Sequence, residues 1–118
     1  MEIFREFTFE AAHHLPNAPE GHKCHRMHGH TYHVTLRVRG TVDATSGWVM
    51  DFGELKAAFA PIRGELDHRC LNDVTGLENP TSENLARWVW ERLSSRLPGL
   101  CEVVIQETCT SGCTYRGE

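Results

Sequence analysis

The stretch His28-Gly29-His30-Thr31-Tyr32-His33-Val34-Thr35-Leu36-Arg37-Val38-Arg39 decides the architecture of this chain. Tyr32, Val34, Leu36 and Val38 alternate with polar residues, the period-two pattern of a strand with one buried face. Successive side chains of a strand point to opposite faces, so if the extended backbone reaches back through Gly29, His28 and His30 share the face of Tyr32 and Val34. Upstream, Phe7-Thr8-Phe9-Glu10-Ala11-Ala12-His13 alternates in the same way and puts Phe7, Phe9, Ala11 and His13 on one face. Pairing the two strands would bring a third imidazole to the same surface.

Seven of the eight histidines lie between His13 and His33. Neutral imidazole is a common zinc ligand, and such density indicates a metal or a proton to handle. Three histidines suit an open catalytic site that keeps a fourth position for water or substrate, whereas structural zinc is usually closed by four protein ligands. Cys24 separates the two readings. On the metal it would close a Cys-His₃ site; off the metal its thiol, beside a cation and imidazoles, would serve as base or nucleophile. The second is favoured because no other cysteine stands at the short spacing of structural zinc sites. His14, His22 and His25 are expected to be loop side chains, and His33 to face away from His28 and His30.

At 118 residues the sequence is expected to form one domain with a modest core, residues 1–118, so a large pocket would need a second subunit to wall it. A net charge of −4 and a pI near 6.0, with no basic stripe or basic amphipathic helix, argue against a general nucleic-acid or membrane surface. No charged-then-apolar leader follows Met1 and no apolar run approaches membrane-span length, so a cytosolic location is expected. The five cysteines, 24, 70, 101, 109 and 113, read as reduced thiols.

Two strands, Ile3 to Ala12 and His30 to Gly40, flank a Pro-, Gly- and His-rich loop from Leu15 to Gly29. A turn over Asp43 to Gly47 returns into Trp48-Val49-Met50. A helix then begins with Asp51 as cap and Glu54 three residues on, and carries Leu55, Phe59, Ile62 and Leu66 at helical spacing; Pro61 should kink or restart it. Asn79-Pro80-Thr81-Ser82-Glu83-Asn84 opens a second helix with Leu85, Trp88, Val89, Leu93 and Leu97 as its apolar face. Pro98-Gly99 ends it, Cys101 to Thr108 reads as a strand, and a turn through Ser111-Gly112 leads to a last strand, Cys113 to Arg116. The order ββααββ predicts an α+β domain, an antiparallel sheet with both helices on one face.

Val103, Ile105 and Glu107 share a strand face, which leaves a carboxylate on an apolar surface in need of a donor, either as a structural ion-pair residue or as a ligand contact. Asp67-His68 offers an acid that could orient a base, provided that a turn brings the two side chains together.

These residues, taken with Gly21-His22-Lys23-Cys24, Gly47-Trp48-Val49-Met50-Asp51-Phe52, Leu66-Asp67-His68, Leu71-Asn72-Asp73, Glu78-Asn79-Pro80-Thr81-Ser82-Glu83, Glu107-Thr108-Cys109-Thr110 and Tyr115-Arg116-Gly117-Glu118, resemble the 6-pyruvoyl-tetrahydropterin synthase family nearly end to end, and most closely its bacterial queuosine-pathway branch. The resemblance implies the tunnelling fold, in which subunits join their sheets into a barrel, usually as hexamers with active sites at the interfaces. It implies zinc held by His13, His28 and His30, Cys24 as catalytic thiol, and Asp67 and His68 as the partners that relay its proton. Glu107 would anchor the amino and ring N–H groups of a pterin, with Thr81, Ser82 and Thr108 as further contacts. The implied substrate is 7,8-dihydroneopterin triphosphate, which that branch converts to 6-carboxytetrahydropterin, acetaldehyde and triphosphate. Lys23, Arg26, Arg69 and Arg116 are candidate phosphate partners, though each is expected rather to be an ordinary surface charge. The family's other activity keeps the three-carbon side chain. A structural zinc module, with Cys24 on the metal, is the non-enzymatic alternative. His14 stands where relatives often carry an arginine, and His25 directly follows Cys24; either is a rival ligand or proton acceptor.

Overall fold

Two twelve-residue strands, β1 (Glu2–His13) and β2 (His28–Arg39), pair antiparallel over their whole length, from Glu2 opposite Arg39 to His13 opposite His28. The computed structural model describes all residues, Met1–Glu118. Their alternation is what pins the register, since a slip of one residue would turn Phe9, Tyr32, Val34 and Leu36 to the solvent face. β2 continues into β4 (Leu100–Thr108), and β4 into β5 (Ser111–Tyr115), both antiparallel. A two-residue strand, β3 (Arg69–Cys70), runs parallel to β1 at Ala11 and Ala12, so the five-stranded sheet is mixed, in the order β3-β1-β2-β4-β5. Nothing in the period of so short a segment could have announced it.

Helices α1 (Phe52–Leu66) and α2 (Ser82–Leu93) cover one face of the sheet, and the core lies between the layers. Asp51 caps α1 by accepting from the Gly53 amide, and Leu55, Ala58, Phe59, Ile62 and Leu66 are its buried stripe. α1 runs through Pro61 without a restart. The proline removes one helical hydrogen bond, but Phe59 and Ile62 on either side are anchored in the core, and Phe59 stacks on Phe7 of β1 with ring centroids 4.4 Å apart.

Thr81 caps α2 by accepting from the Asn84 amide, and Leu85, Ala86, Trp88, Val89 and Leu93 are buried. Leu97 is also buried but lies beyond the helix. At Gly99 a Cβ would stand 2.5 Å from the Arg39 carbonyl, so only glycine permits the tight crossing into β4. The β4–β5 connection is the two-residue turn Cys109-Thr110, and Ser111 and Gly112 already belong to β5. The molecule is elongated, 57 × 25 × 24 Å, and strands of twelve residues, at about 3.4 Å per residue, supply roughly 41 Å of the long axis. No helix is long and apolar enough to cross a membrane.

Candidate active site

The β1–β2 ladder ends in imidazoles. His13 sits directly opposite His28, and His30 lies opposite Ala11 on the same face, so the three rings meet at one end of the sheet. One ligand nitrogen from each falls within 4.8 Å of the others, close enough to share an ion, and Cys24 is not part of the group.

The supporting contacts fit a metal. His13 is fully buried, and its Nδ1 donates to the Pro80 carbonyl at 2.8 Å with the Tyr32 hydroxyl 3.1 Å away. His28 Nδ1 donates to the Arg26 carbonyl at 2.7 Å. A ring whose Nδ1 proton is engaged in this way presents a bare Nε2 lone pair to a cation. Nε2 of His13 and Nε2 of His30 are buried without a hydrogen-bond partner, a costly condition that a bound cation would relieve. Burial also pushes the His13 pKa below its usual value, which favours the neutral ring that a metal needs.

Beside the imidazoles stands Glu107. The β4–β5 register shifts between Gln106 and Thr108, so Glu107 occupies an irregularity of the ladder, the kind of bulge that re-aims a side chain. Ser82, the first residue of α2, donates its hydroxyl to Glu107 Oε1 at 2.7 Å, and Glu107 Oε2 lies 3.9 Å from His30 Nε2. Thr81, Ser82 and Glu107, together with Leu15, Gly112 and Cys113, line a cleft of about 350 Å³. Thr108 is exposed and outside that cleft; its hydroxyl receives the Thr110 amide and holds the turn. Cys113, whose thiol pKa is raised by burial, was not singled out by sequence. It enters the cleft through its pairing with Ile105.

Asp67 and His68 form a unit of their own. Asp67 ends α1, and His68 is the only non-glycine residue with positive φ, 58°. That turn swings the ring back, so His68 Nδ1 stands 3.1 Å from Asp67 Oδ2 while the His68 amide donates to the Glu10 carbonyl at 2.6 Å. The Glu10 amide donates to Asp67 Oδ1 at 2.9 Å; this bond first, then His68, holds the Asp67 pKa below the usual range, so it remains a carboxylate at neutral pH. Asp67 thereby orients the His68 ring through Nδ1, and the His68 side chain is 78% exposed. It lines a larger cleft, about 550 Å³, with Glu10, Ala12 and Thr31 of the sheet face opposite the clustered histidines, and with Ala11 and His30 of the cluster's own face.

Cys24 lies half-buried in a single 3-10 turn, Lys23–His25, in the β1–β2 loop. Its carbonyl receives the Leu15 amide at 2.7 Å, and its own amide donates to His22 Nδ1 at 3.1 Å. His22 and His25 are exposed, and the His25 ring is engaged with the Ala18 carbonyl. His14 is held through its backbone by Asn72, and exposed His33 stands on the other sheet face, opposite Thr8 and Gln106. The orienting contacts of Tyr32 and Pro80 were not foreseen. Tyr32 shares a face with His30, which is the one sequence signal that could have found it.

Comparison with known proteins gives the family of the chain. The profile of the 6-pyruvoyl tetrahydropterin synthase family matches residues 2–118. A 6-carboxy-5,6,7,8-tetrahydropterin synthase of Synechocystis is 46% identical over 119 residues, covering 96% of this chain and 91% of that protein. A dihydroneopterin monophosphate aldolase of Pyrococcus furiosus is 40% identical over 97 residues, covering 82% of this chain and 78% of its own length. The solved 6-pyruvoyl tetrahydropterin synthase of Caenorhabditis elegans superposes with a TM-score of 0.91 at 34% identity, over 100% of this chain and 96% of that one. A match over almost the whole sequence, joined to a shared α+β fold, settles the kinship: the chain belongs to the 6-pyruvoyl tetrahydropterin synthase family.

Proposed function

We propose that this chain is a zinc-dependent 6-carboxy-5,6,7,8-tetrahydropterin synthase, a carbon–carbon lyase of queuosine and 7-deazapurine biosynthesis. Its substrate would be 7,8-dihydroneopterin triphosphate, which with one water gives 6-carboxytetrahydropterin, acetaldehyde and triphosphate. The observation that carries the reading is the 3.9 Å between His30 Nε2 and Glu107 Oε2, which sets a three-imidazole donor group next to a carboxylate in a cleft. The identity to the Synechocystis protein favours the carboxy product.

Glu107 offers two acceptor oxygens to the flat donor edge of the pterin, and Ser82 steadies one of them. His13, His28 and His30 would hold the zinc, which when bound supplies Lewis acidity toward the side-chain oxygens and acidifies the adjacent C–H. Cys24 would take that proton, and His68, oriented by Asp67, would exchange a proton on the other side of the side chain. Because His68 faces solvent from the opposite sheet face, its action on a pterin site calls for a second copy of the chain. A homo-oligomer, on the family's pattern a hexamer, agrees with the elongated shape and with a β1 edge that is covered only at Ala11 and Ala12.

The test is to incubate zinc-loaded protein with the triphosphate and assay acetaldehyde together with the pterin products by mass spectrometry. Acetaldehyde with 6-carboxytetrahydropterin is the expected result. A product that keeps the three-carbon side chain would assign the pyruvoyl reaction instead. Turnover of the monophosphate in preference to the triphosphate would favour the activity named for the Pyrococcus relative. Cys24→Ala should lose turnover and keep its metal; loss of the metal would return the structural zinc module.

A further inference from the structure

Asn72 makes a set of contacts that the proposed chemistry leaves unassigned. Strand β3 pairs with β1 at two positions only, Arg69 beside Ala11 and Cys70 beside Ala12, before the chain turns away in a single 3-10 turn, Leu71–Asp73. At Asn72 the side chain takes over from the backbone. Its Oδ1 accepts the His14 amide at 3.0 Å, and its Nδ2 donates to the His14 carbonyl at 2.9 Å. Residues 14 and 72 are 58 apart in sequence, the same offset as in the two backbone pairs, so the carboxamide carries the ladder past the point where the main chain leaves it. Only one orientation of the amide pairs both groups of His14. The remaining capacity is used as well: Nδ2 reaches the Glu78 carbonyl at 3.4 Å, and the Cys70 thiol lies 3.7 Å from Oδ1. Two donors and two acceptor positions are all that an asparagine side chain offers.

This extra rung falls at the end of β1, immediately after His13. Strand ends open readily unless something holds them, and the β1–β2 ladder stops at His13 and His28. The His13 ring is oriented by the Pro80 carbonyl. Pro80 lies on the segment that runs from Asn72 to Ser82, whose hydroxyl in turn holds Glu107, and Leu71 and Leu77 anchor that segment in the core. Asn72 therefore grips β1 and this segment at once, since its side chain binds the residue next to His13 and also the carbonyl of Glu78, two residues before Pro80. A metal ligand has to be held to within about 0.5 Å of its working position, which a ring on a loose strand end is not.

We infer that Asn72 is a positioning residue for His13: by prolonging the β1–β3 ladder it sets the backbone of the ligand and the carbonyl that orients its ring in one fixed relation. The inference rests on the reading of His13, His28 and His30 as a metal site and adds which residue outside that group sets its geometry. Asn72 is not one of the three donors, so its loss should leave the site populated, more weakly and in a changed geometry.

The experiment uses the full chain loaded with cobalt(II) in place of zinc, and records the d–d absorption together with zinc affinity by competition against a chromophoric chelator. The variants are Asn72→Ala, Asn72→Asp, His13→Ala and Leu97→Ala; Leu97 is buried near Gly99, whose carbonyl receives the Arg39 amide at the opposite end of the sheet from His13. Asn72→Ala should weaken zinc about tenfold and alter the cobalt spectrum. Asn72→Asp, which still accepts the His14 amide but cannot donate to its carbonyl, should recover part of the affinity. Leu97→Ala should melt at a lower temperature yet keep both the zinc affinity and the spectrum, which separates positioning from general stability. The inference is overturned if Asn72→Ala binds zinc within about twofold of the unmodified chain with an unaltered spectrum, or if Leu97→Ala weakens zinc as much as Asn72→Ala does. A cobalt spectrum that His13→Ala leaves unchanged would remove the metal reading and the inference with it, whereas a spectrum that His13→Ala alters and Asn72→Ala does not would remove the inference alone.

Discussion

Removing the metal should destabilise this protein by an amount that the buried imidazoles set. Nε2 of His13 and Nε2 of His30 are both buried and without a hydrogen-bond partner. A buried polar atom left unsatisfied costs about 1–3 kcal/mol, so the metal-free state carries roughly 2–6 kcal/mol that cation binding relieves. For a chain of 118 residues, 1 kcal/mol moves the melting temperature by roughly 3–6 °C. Even the lower figure therefore predicts a fall of at least about 6 °C when a chelator strips the ion, and more when free metal is in excess, by mass action. The assay is differential scanning calorimetry on loaded and chelated protein, with removal confirmed by elemental analysis. His13→Ala, which lacks one of the two orphaned nitrogens and one of the three donors, should melt at the same temperature with and without chelator. If loaded and chelated protein melt within a degree of each other although the ion has gone, the three imidazoles are not an ion site and the reasoning fails.

Acidity probes the same ring differently. Burial depresses the His13 pKa in the folded chain, so its contribution to stability is complete above the usual value of about 6.5 and is lost as pH falls from there through the folded pKa; urea midpoints of metal-free protein should drop over that window, and His13→Asn should flatten the slope. Ser82→Ala removes a 2.7 Å donor from Glu107. Because Glu107 is about a quarter exposed, water replaces part of that bond, and KM for the pterin should rise about tenfold with kcat nearly unchanged; a change in kcat alone would argue against an anchoring role. Asp67→Asn can still accept the Glu10 amide but no longer the His68 Nδ1 proton. Steady-state kinetics should give a loss of about 10²–10³ in kcat at unchanged metal content, and full activity would remove the pair from the mechanism.

The strand alternation by itself determined that Phe9, Tyr32, Val34 and Leu36 face the core and that His13, His28 and His30 share that face, because the pleat has a fixed period of two and only one register buries the apolar set. Helix entries at Asp51 and Thr81 were legible for an equally local reason: a side-chain oxygen must satisfy amides in the first turn. The helix does not restart at Pro61: local propensity takes no account of the core that holds α1 together on either side of it. The tertiary structure alone decided the rest. β3 exists because the chain leaving α1 meets β1 at Ala11 and Ala12. Asp67 and His68 face each other because His68 adopts a left-handed backbone that no periodicity encodes. Glu107 meets Ser82 across twenty-five residues of sequence, and Lys23 and Arg26 enclose one recess while Arg116 is drawn to Glu102. Such pairings depend on distances between elements, and those are fixed by packing two helices on a twisted sheet, whereas the order of the residues fixes only which side of each element a side chain occupies.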